Sequence, residues 1–241
     1  MFKWLKTKAK PAIVKIVDTR TKKIAFSLGV PLAGAIFASA GLYVATENNK
    51  NAAIDFKDLT TLIVKDFQTV YNPTGLLKTG VKINLIKDGD NTACGLESLY
   101  GGLFYCPSDK GIYINQKSQD GLCVRFKGCK DGVSKEIAYI YVLAHELAHH
   151  IQYTNGLLGL GGVKVELQSD CLTGYYMGKS FKSHKLAAKI KDGALHLANA
   201  IGDDIISGNT TKPSEYTHGS GKQRQEYFLK GYNARDAKFC L

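Results

Sequence analysis

The stretch 136–153 carries apolar side chains at Ile137, Ile140, Tyr141, Val142, Leu143, Leu147 and Ile151. At helical spacing these cover nearly the whole circumference, which predicts a helix packed on every side. Set into it are His145, Glu146, His149 and His150. Burying such groups without partners costs several kcal/mol, so whatever fold forms here must supply those partners. His145 and His149 stand four residues apart, one turn from each other on one face, where both imidazoles reach a single zinc ion. Glu146 is rotated by about 100° from His145. It lies outside the ligand direction but within reach of a water in an open coordination position. Zinc lowers the pKa of that water toward about 7 and the carboxylate takes its proton, which makes a nucleophile suited to a peptide carbonyl. His150 points elsewhere and is expected to pack or hydrogen-bond.

A catalytic zinc needs a third protein ligand. Glu166 and Asp170 are again four residues apart, on a helix predicted over 164–177 after the Gly-rich loop 156–162. With Glu166 as ligand, Asp170 lies one turn further on and accepts the free N–H of a ligand histidine, fixing its tautomer. Asp170 as the third ligand is the alternative. A donor for the developing oxyanion is also required. His218, in a Gly-rich loop, is the first candidate, with Tyr216 and Arg224 behind it. His184 and His196 fall in amphipathic helical patterns and read as structural or surface residues. Asp203 and Asp204 read as a helix cap or, less simply, a cation site.

The remaining pattern predicts a helix over 58–71 ended by Asn72-Pro73, strands over 81–86 and 111–115, and a loop over 117–133. Later helices are predicted over 183–190, 193–206 and 223–232. Helix outweighs strand, so the expected class is α+β, mainly helical with a small antiparallel sheet. The strand Ile112-Tyr113-Ile114 is a candidate to pair with an extended substrate by strand addition.

The formal net charge is +11, but it is unevenly placed. Residues 1–23 hold eight basic side chains against the single acid Asp18. A nucleic-acid footprint would spread basic residues over the folded domain among stacking aromatics, and no such patch is present, so nucleic acid is not an expected partner. The basic arm instead precedes residues 24–45, a run of 22 without charge, about 33 Å long as a helix and sufficient to span a bilayer core. Lysines before it place the N-terminus in the cytoplasm and the domain outside, in the periplasm if the cell is Gram-negative. The competing reading is a signal peptide cleaved near Ala38-Ser39-Ala40. The long basic arm and the apolar run beyond that point favour a retained anchor. The chain thus divides into an arm (1–23), a transmembrane helix (24–45), a linker (46–55) and a domain (56–241). All six cysteines follow the anchor, as an oxidising compartment allows. Spacing favours Cys94–Cys106 and Cys123–Cys129, leaving Cys171–Cys240. With no Cys-x-x-Cys pair, a cysteine zinc site is not expected.

His145–His149 with Glu166 and Asp170 resembles the gluzincin arrangement of thermolysin-like peptidases. More closely, the chain is similar to a bacterial family of neutral zinc metallopeptidases that carry an N-terminal membrane helix. The matching stretches are Ala93-Cys94-Gly95, Phe104 to Asp109, Ile112-Tyr113-Ile114, Ala138-Tyr139, His145 to Gln152, Glu166 to Cys171, Ile201 to Asp204 and His218-Gly219-Ser220, continued by Arg224 and Phe228. The resemblance covers most of the domain, from about Ala93 to Gly231. It implies a zincin-like fold, one zinc ion, His145, His149 and Glu166 as ligands, and Glu146 as general base; it does not identify the substrate, which the chemistry of Glu146 leads one to expect is a protein or peptide. Ser169 stands where an alanine is usual, the stretch with Cys123 and Cys129 looks like an insertion, and the N-terminal arm matches poorly.

Three functions compete: a zinc endopeptidase acting outside the cytoplasmic membrane, a non-catalytic zinc-containing scaffold or partner in the envelope, and a regulatory membrane protein whose arm binds lipid or a cytoplasmic partner. The intact Glu146 favours the first, because a structural metal site needs no base.

Overall fold

The computed structural model describes residues 16–17, 56–96, 102–115, 117, 135–158, 162–184 and 186–241. The predicted anchor, the linker and the Cys123–Cys129 pair lie outside these residues. No helix among the described residues is long and apolar enough to cross a membrane.

Helix α1 (Phe56–Tyr71) buries Leu59, Ile63, Val64, Phe67 and Tyr71, a stripe at helical spacing. It ends in a 3-10 turn, Asn72–Thr74, because Pro73 lacks the N–H needed to continue and Gly75 takes a left-handed conformation at φ 73°. The main sheet comprises β1 (Ile16–Val17), β2 (Lys82–Ile86), β5 (Leu103–Cys106) and β6 (Gly111–Asn115), in the order β1-β2-β6-β5. Strands β3 (Asn91–Thr92) and β4 (Gly95–Leu96) form a separate two-stranded ribbon.

The sheet is mixed, which corrects the expected antiparallel one. β2 and β6 run parallel, with Ile83 opposite Ile112, and β1 pairs parallel with β2, whereas β5 and β6 are antiparallel. The chain makes the β3–β4 ribbon and β5 before reaching β6, so β6 arrives in the direction of β2, and within the main sheet the hairpin is β5–β6. As a result β6 is an inner strand and β5 is the edge. Strand addition at Ile112–Ile114 is therefore blocked by neighbours on both sides. β5 escaped the sequence pattern because all four of its residues are buried, so it shows no alternation.

Three long helices complete the fold: α2 (Lys135–Thr154), α3 (Val163–Phe181) and α4 (Ala187–Ala200). The short α5 (Asp203–Ile206) and then α6 (Gly221–Asn233) follow. The two helices expected over 183–190 and 193–206 are one helix with a break at Ile201-Gly202. Gly193 sits inside it, its cost of about 1 kcal/mol outweighed by the buried stripe Ile190, Ala194, Leu197 and Ala198. One core joins α1, the inner faces of β2, β5 and β6, and α2, α3, α4 and α6. A smaller cluster of Ile86, Phe104, Cys106 and Tyr113 packs on the other face of the sheet, beside the Cys94–Cys106 disulfide.

Helices α3 and α6 meet backbone to backbone. A Cβ at Gly174 would lie 2.0 Å from the Phe228 carbonyl, one at Gly178 2.5 Å from that of Tyr232, and one at Gly231 1.7 Å from that of Cys171. The Cys171–Cys240 disulfide ties the C-terminal 3-10 turn (Ala237–Cys240) to the same region. Gly231→Ala should cost about 3 kcal/mol or more by overpacking. Gly208→Ala, where φ is 63° but no atom lies within 4 Å, should cost about 1 kcal/mol. Urea denaturation of both variants checks this; equal losses would contradict the close helix contact.

Candidate metal centre

Helices α2 and α3 bring the predicted residues together. The Ser169 hydroxyl donates to the His145 carbonyl at 2.8 Å, a buried bond that ties the two helices together at the site. One Glu166 oxygen lies 3.0 Å from His145 Nε2 and the other 3.5 Å from His149 Nε2. The two rings stand edge to face, 4.7 Å between centroids. Ligand atoms around a tetrahedral zinc with bonds of about 2.0–2.1 Å are about 3.3 Å apart, and the two distances from Glu166 to the imidazoles lie close to that value.

Glu146 is also close: donor atoms of His145, Glu146 and His149 all fall within 4.8 Å of one another. Its Oε2, however, accepts the Tyr105 backbone N–H at 2.8 Å, which draws the carboxylate toward edge strand β5. Both carboxylates thus stand beside the imidazoles: Glu166 has an oxygen within 3.5 Å of each Nε2, and Glu146 joins His145 and His149 in a cluster able to hold a metal.

Two carboxylates, Glu166 and Asp170, face His145 from either side. Burial alone would lower the His145 pKa, but hydrogen bonds and charges from Asp170 and Glu166 outweigh it and push it up to about 9. Burial would raise the Glu166 pKa, yet the two histidines hold it well below the carboxylate range. A divalent ion meets the same demand for positive charge, and nitrogen, nitrogen and carboxylate oxygen form a donor set that suits zinc.

Asp170 is fully buried and faces His145 from the other side, with Oδ1 3.0 Å from Nδ1. It also accepts the Tyr141 hydroxyl at 2.6 Å and two N–H groups of Arg224, from Nε at 2.8 Å and from the Nη2 nitrogen at 2.9 Å. Burial would raise its pKa; the Arg224 charge and the His145 contact hold it below the usual value. With its oxygens committed on the Nδ1 side, Asp170 orients the ring and leaves Nε2 toward Glu166. Arg224 is thus no oxyanion donor: it is 2% exposed and clamps Asp170.

His149 is held by a residue that the sequence did not single out. Gln152 Oε1 accepts the Nδ1–H of His149 at 2.7 Å. An amide three residues from a ligand histidine lies on the same helix face, and that spacing was the available signal. His150 bonds the Thr79 carbonyl through Nε2 at 3.0 Å and the Tyr105 hydroxyl through Nδ1 at 3.3 Å. It is a packing residue, as expected, and it fixes the strand residue whose N–H holds Glu146.

His218 is exposed. Its Nδ1 lies 3.2 Å from Asp203 Oδ1 and 2.9 Å from the Thr217 hydroxyl. Asp203 Oδ2 accepts the backbone N–H groups of Thr217, His218 and Gly219, and Asp204 Oδ1 accepts that of Gly221. The two aspartates therefore staple the loop to the start of α6 and do not cap their own helix. Gly219, at φ 90°, packs against Val163 and Leu167, the neighbours that bracket Glu166 on α3. This contact sets the His218 loop beside the turn of α3 that carries Glu166. Tyr216 is half-buried in the same loop.

Arg224→Met should destabilise the metal-free protein by about 3–5 kcal/mol, because Asp170 is then a buried charge short of its main partner. Tyr141→Phe removes one hydrogen bond to the same carboxylate and should cost about 1.5–3 kcal/mol. Urea denaturation in chelator measures both. A smaller loss for Arg224→Met than for Tyr141→Phe would contradict the clamp.

Comparison with known proteins agrees with this arrangement. Residues 43–241 match the family described as putative neutral zinc metallopeptidase. An uncharacterized protein of Mycobacterium tuberculosis is 36% identical over 172 residues, which cover 62% of this chain and 57% of that protein. The uncharacterized protein YpfJ of Escherichia coli is 29% identical over 177 residues, 66% of this chain and 60% of that protein. The matched region thus spans less than two thirds of these relatives' length. No solved structure matches. The chain belongs to the putative neutral zinc metallopeptidase family.

Proposed function

We propose that the domain is a peptidase that hydrolyses peptide bonds with one zinc ion held by His145, His149 and Glu166 and with Glu146 as general base. The observation that carries this is the convergence of the two Nε2 atoms on the Glu166 carboxylate, with Glu146 held apart from it by the Tyr105 N–H. Zinc bound there supplies Lewis acidity that polarises the scissile carbonyl and acidifies water. Glu146 takes the proton of the attacking water and returns it to the leaving amine. Asp170 and Arg224 keep His145 oriented while charge develops. His218, polarised by Asp203, donates to the oxyanion from its loop.

Edge strand β5 is the natural place for an extended substrate. In the antiparallel β5–β6 pair, Tyr105 is opposite Ile112 and its N–H turns outward, toward Glu146. An outward-facing strand beside the base offers backbone pairing to a peptide.

Glu146→Gln should keep the zinc, measured by elemental analysis of the purified chain, and lower cleavage by about a hundred- to ten-thousandfold. Undiminished cleavage by that variant would overturn the mechanism. Wild-type protein that holds zinc but cleaves nothing across a broad peptide library would support the scaffold function instead.

We also propose that residues 24–45 anchor the chain in the cytoplasmic membrane with the domain outside. The basic arm supports this, as do the Cys94–Cys106 and Cys171–Cys240 disulfides, which persist in an oxidising compartment. The pairing of Ile16–Val17 with β2 favours a second arrangement, with the arm on the same side as the domain. Protease added to intact spheroplasts should digest the domain and spare an epitope placed ahead of Lys3. Loss of that epitope as well would favour the second arrangement.

A further inference from the structure

The buried amide of Gln152 occupies a position between the two helices that bear the proposed ligands. Its side chain is completely buried. The Nε2 group donates to the Val165 carbonyl at 2.7 Å and to Gln168 Oε1 at 3.0 Å. A backbone carbonyl only accepts, so the amide nitrogen must face Val165 and the amide oxygen must face His149. That oxygen, 2.7 Å from Nδ1, can only accept. Nδ1 of His149 must therefore carry the hydrogen, and Nε2, 3.5 Å from Glu166, presents its lone pair to the centre. The same amide fixes the carbonyl of Val165, the residue before Glu166.

We infer that Gln152 is a positioning residue for the metal, setting the tautomer of His149 and the placement of the α3 turn that carries Glu166. This inference rests on the zinc reading proposed above. His145 and His149 are thus oriented by different means. A carboxylate clamped by arginine holds the first, and a neutral amide locked by a backbone carbonyl holds the second. A neutral acceptor adds no further negative charge to a site that already contains Glu146, Glu166 and Asp170.

The test compares zinc affinity by chelator competition in the full 241-residue chain and in two variants, with the visible spectrum of the cobalt-substituted proteins as a second readout. Gln152→Leu removes the acceptor and should weaken zinc about 10- to 100-fold and alter the cobalt spectrum. Gln152→Glu keeps an acceptor opposite Nδ1 and should recover most of that loss, even though it gives up the bond to Val165. Wild-type affinity in Gln152→Leu would overturn the inference while leaving the zinc reading intact. Gln152→Glu as weak as Gln152→Leu would also overturn it, since an acceptor opposite Nδ1 would then not be what sets the affinity. Wild-type protein without zinc affinity would overturn the zinc reading itself, and the inference with it. Should the leucine variant fail to fold, the glutamate variant still decides: affinity within about threefold of wild type supports the inference, and a loss of tenfold or more sinks it.

Discussion

The fold turns on a buried charge, the carboxylate of Asp170. A carboxylate taken out of water survives only with partners that replace its hydration, and here they arrive from two helices packed against its own. Tyr141 and His145 come from α2, and Arg224 comes from α6. The requirement is reciprocal, because Arg224 is itself buried and its further donor meets the Ile201 carbonyl at the end of α4. The glycine contacts between α3 and α6 follow from the same need. Arg224 reaches Asp170 with both N–H groups only because Gly174, Gly178 and Gly231 let the helices approach without side chains between them. Core packing and site geometry are thus one problem: the pair that joins α3 to α6 also aims the His145 ring.

Much of this was legible in the sequence. The i, i+4 spacings of His145/His149 and Glu166/Asp170 encode two faces, and helices keep such faces well. Less legible was anything that depended on depth. Arg224 reads from the sequence as a runner-up oxyanion donor, yet Arg224, Phe228, Gly231 and Tyr232 form a buried stripe that takes the arginine inward, to Asp170. Gln152 looked like an ordinary polar residue near the end of a helix. Strand β5 was missed for a related reason: with both faces covered, Leu103–Cys106 loses the alternation that announces a half-buried strand. Sheet direction depends on the order in which distant segments pair, and local pattern carries no information about that.

The division of labour around the centre is uneven in a way that suits hydrolysis. The residues behind the imidazoles are locked by buried bonds, whereas Glu146 and the His218 loop are reached from the open side. Glu146 is held by one backbone N–H of an edge strand, a tether that leaves its second oxygen unassigned to any structural contact in the site. Rigid imidazoles beside a less constrained carboxylate are what the proposed proton transfer requires, since a general base must serve two partners in turn.

The Cys171–Cys240 bond gives the molecule a closing property. It joins the residue after Asp170 to the second-last residue of the chain, enclosing 69 positions of sequence separation. A loop of that length is worth about 4 kcal/mol of denatured-state entropy in the chain-entropy account. The enclosed segment contains α4, α6 and the exposed turn between Ser207 and His218. A single cut in that turn would leave both fragments covalently attached, with Arg224 still delivered to Asp170. A chain nicked in that turn would thus remain one assembled molecule until the disulfide is reduced.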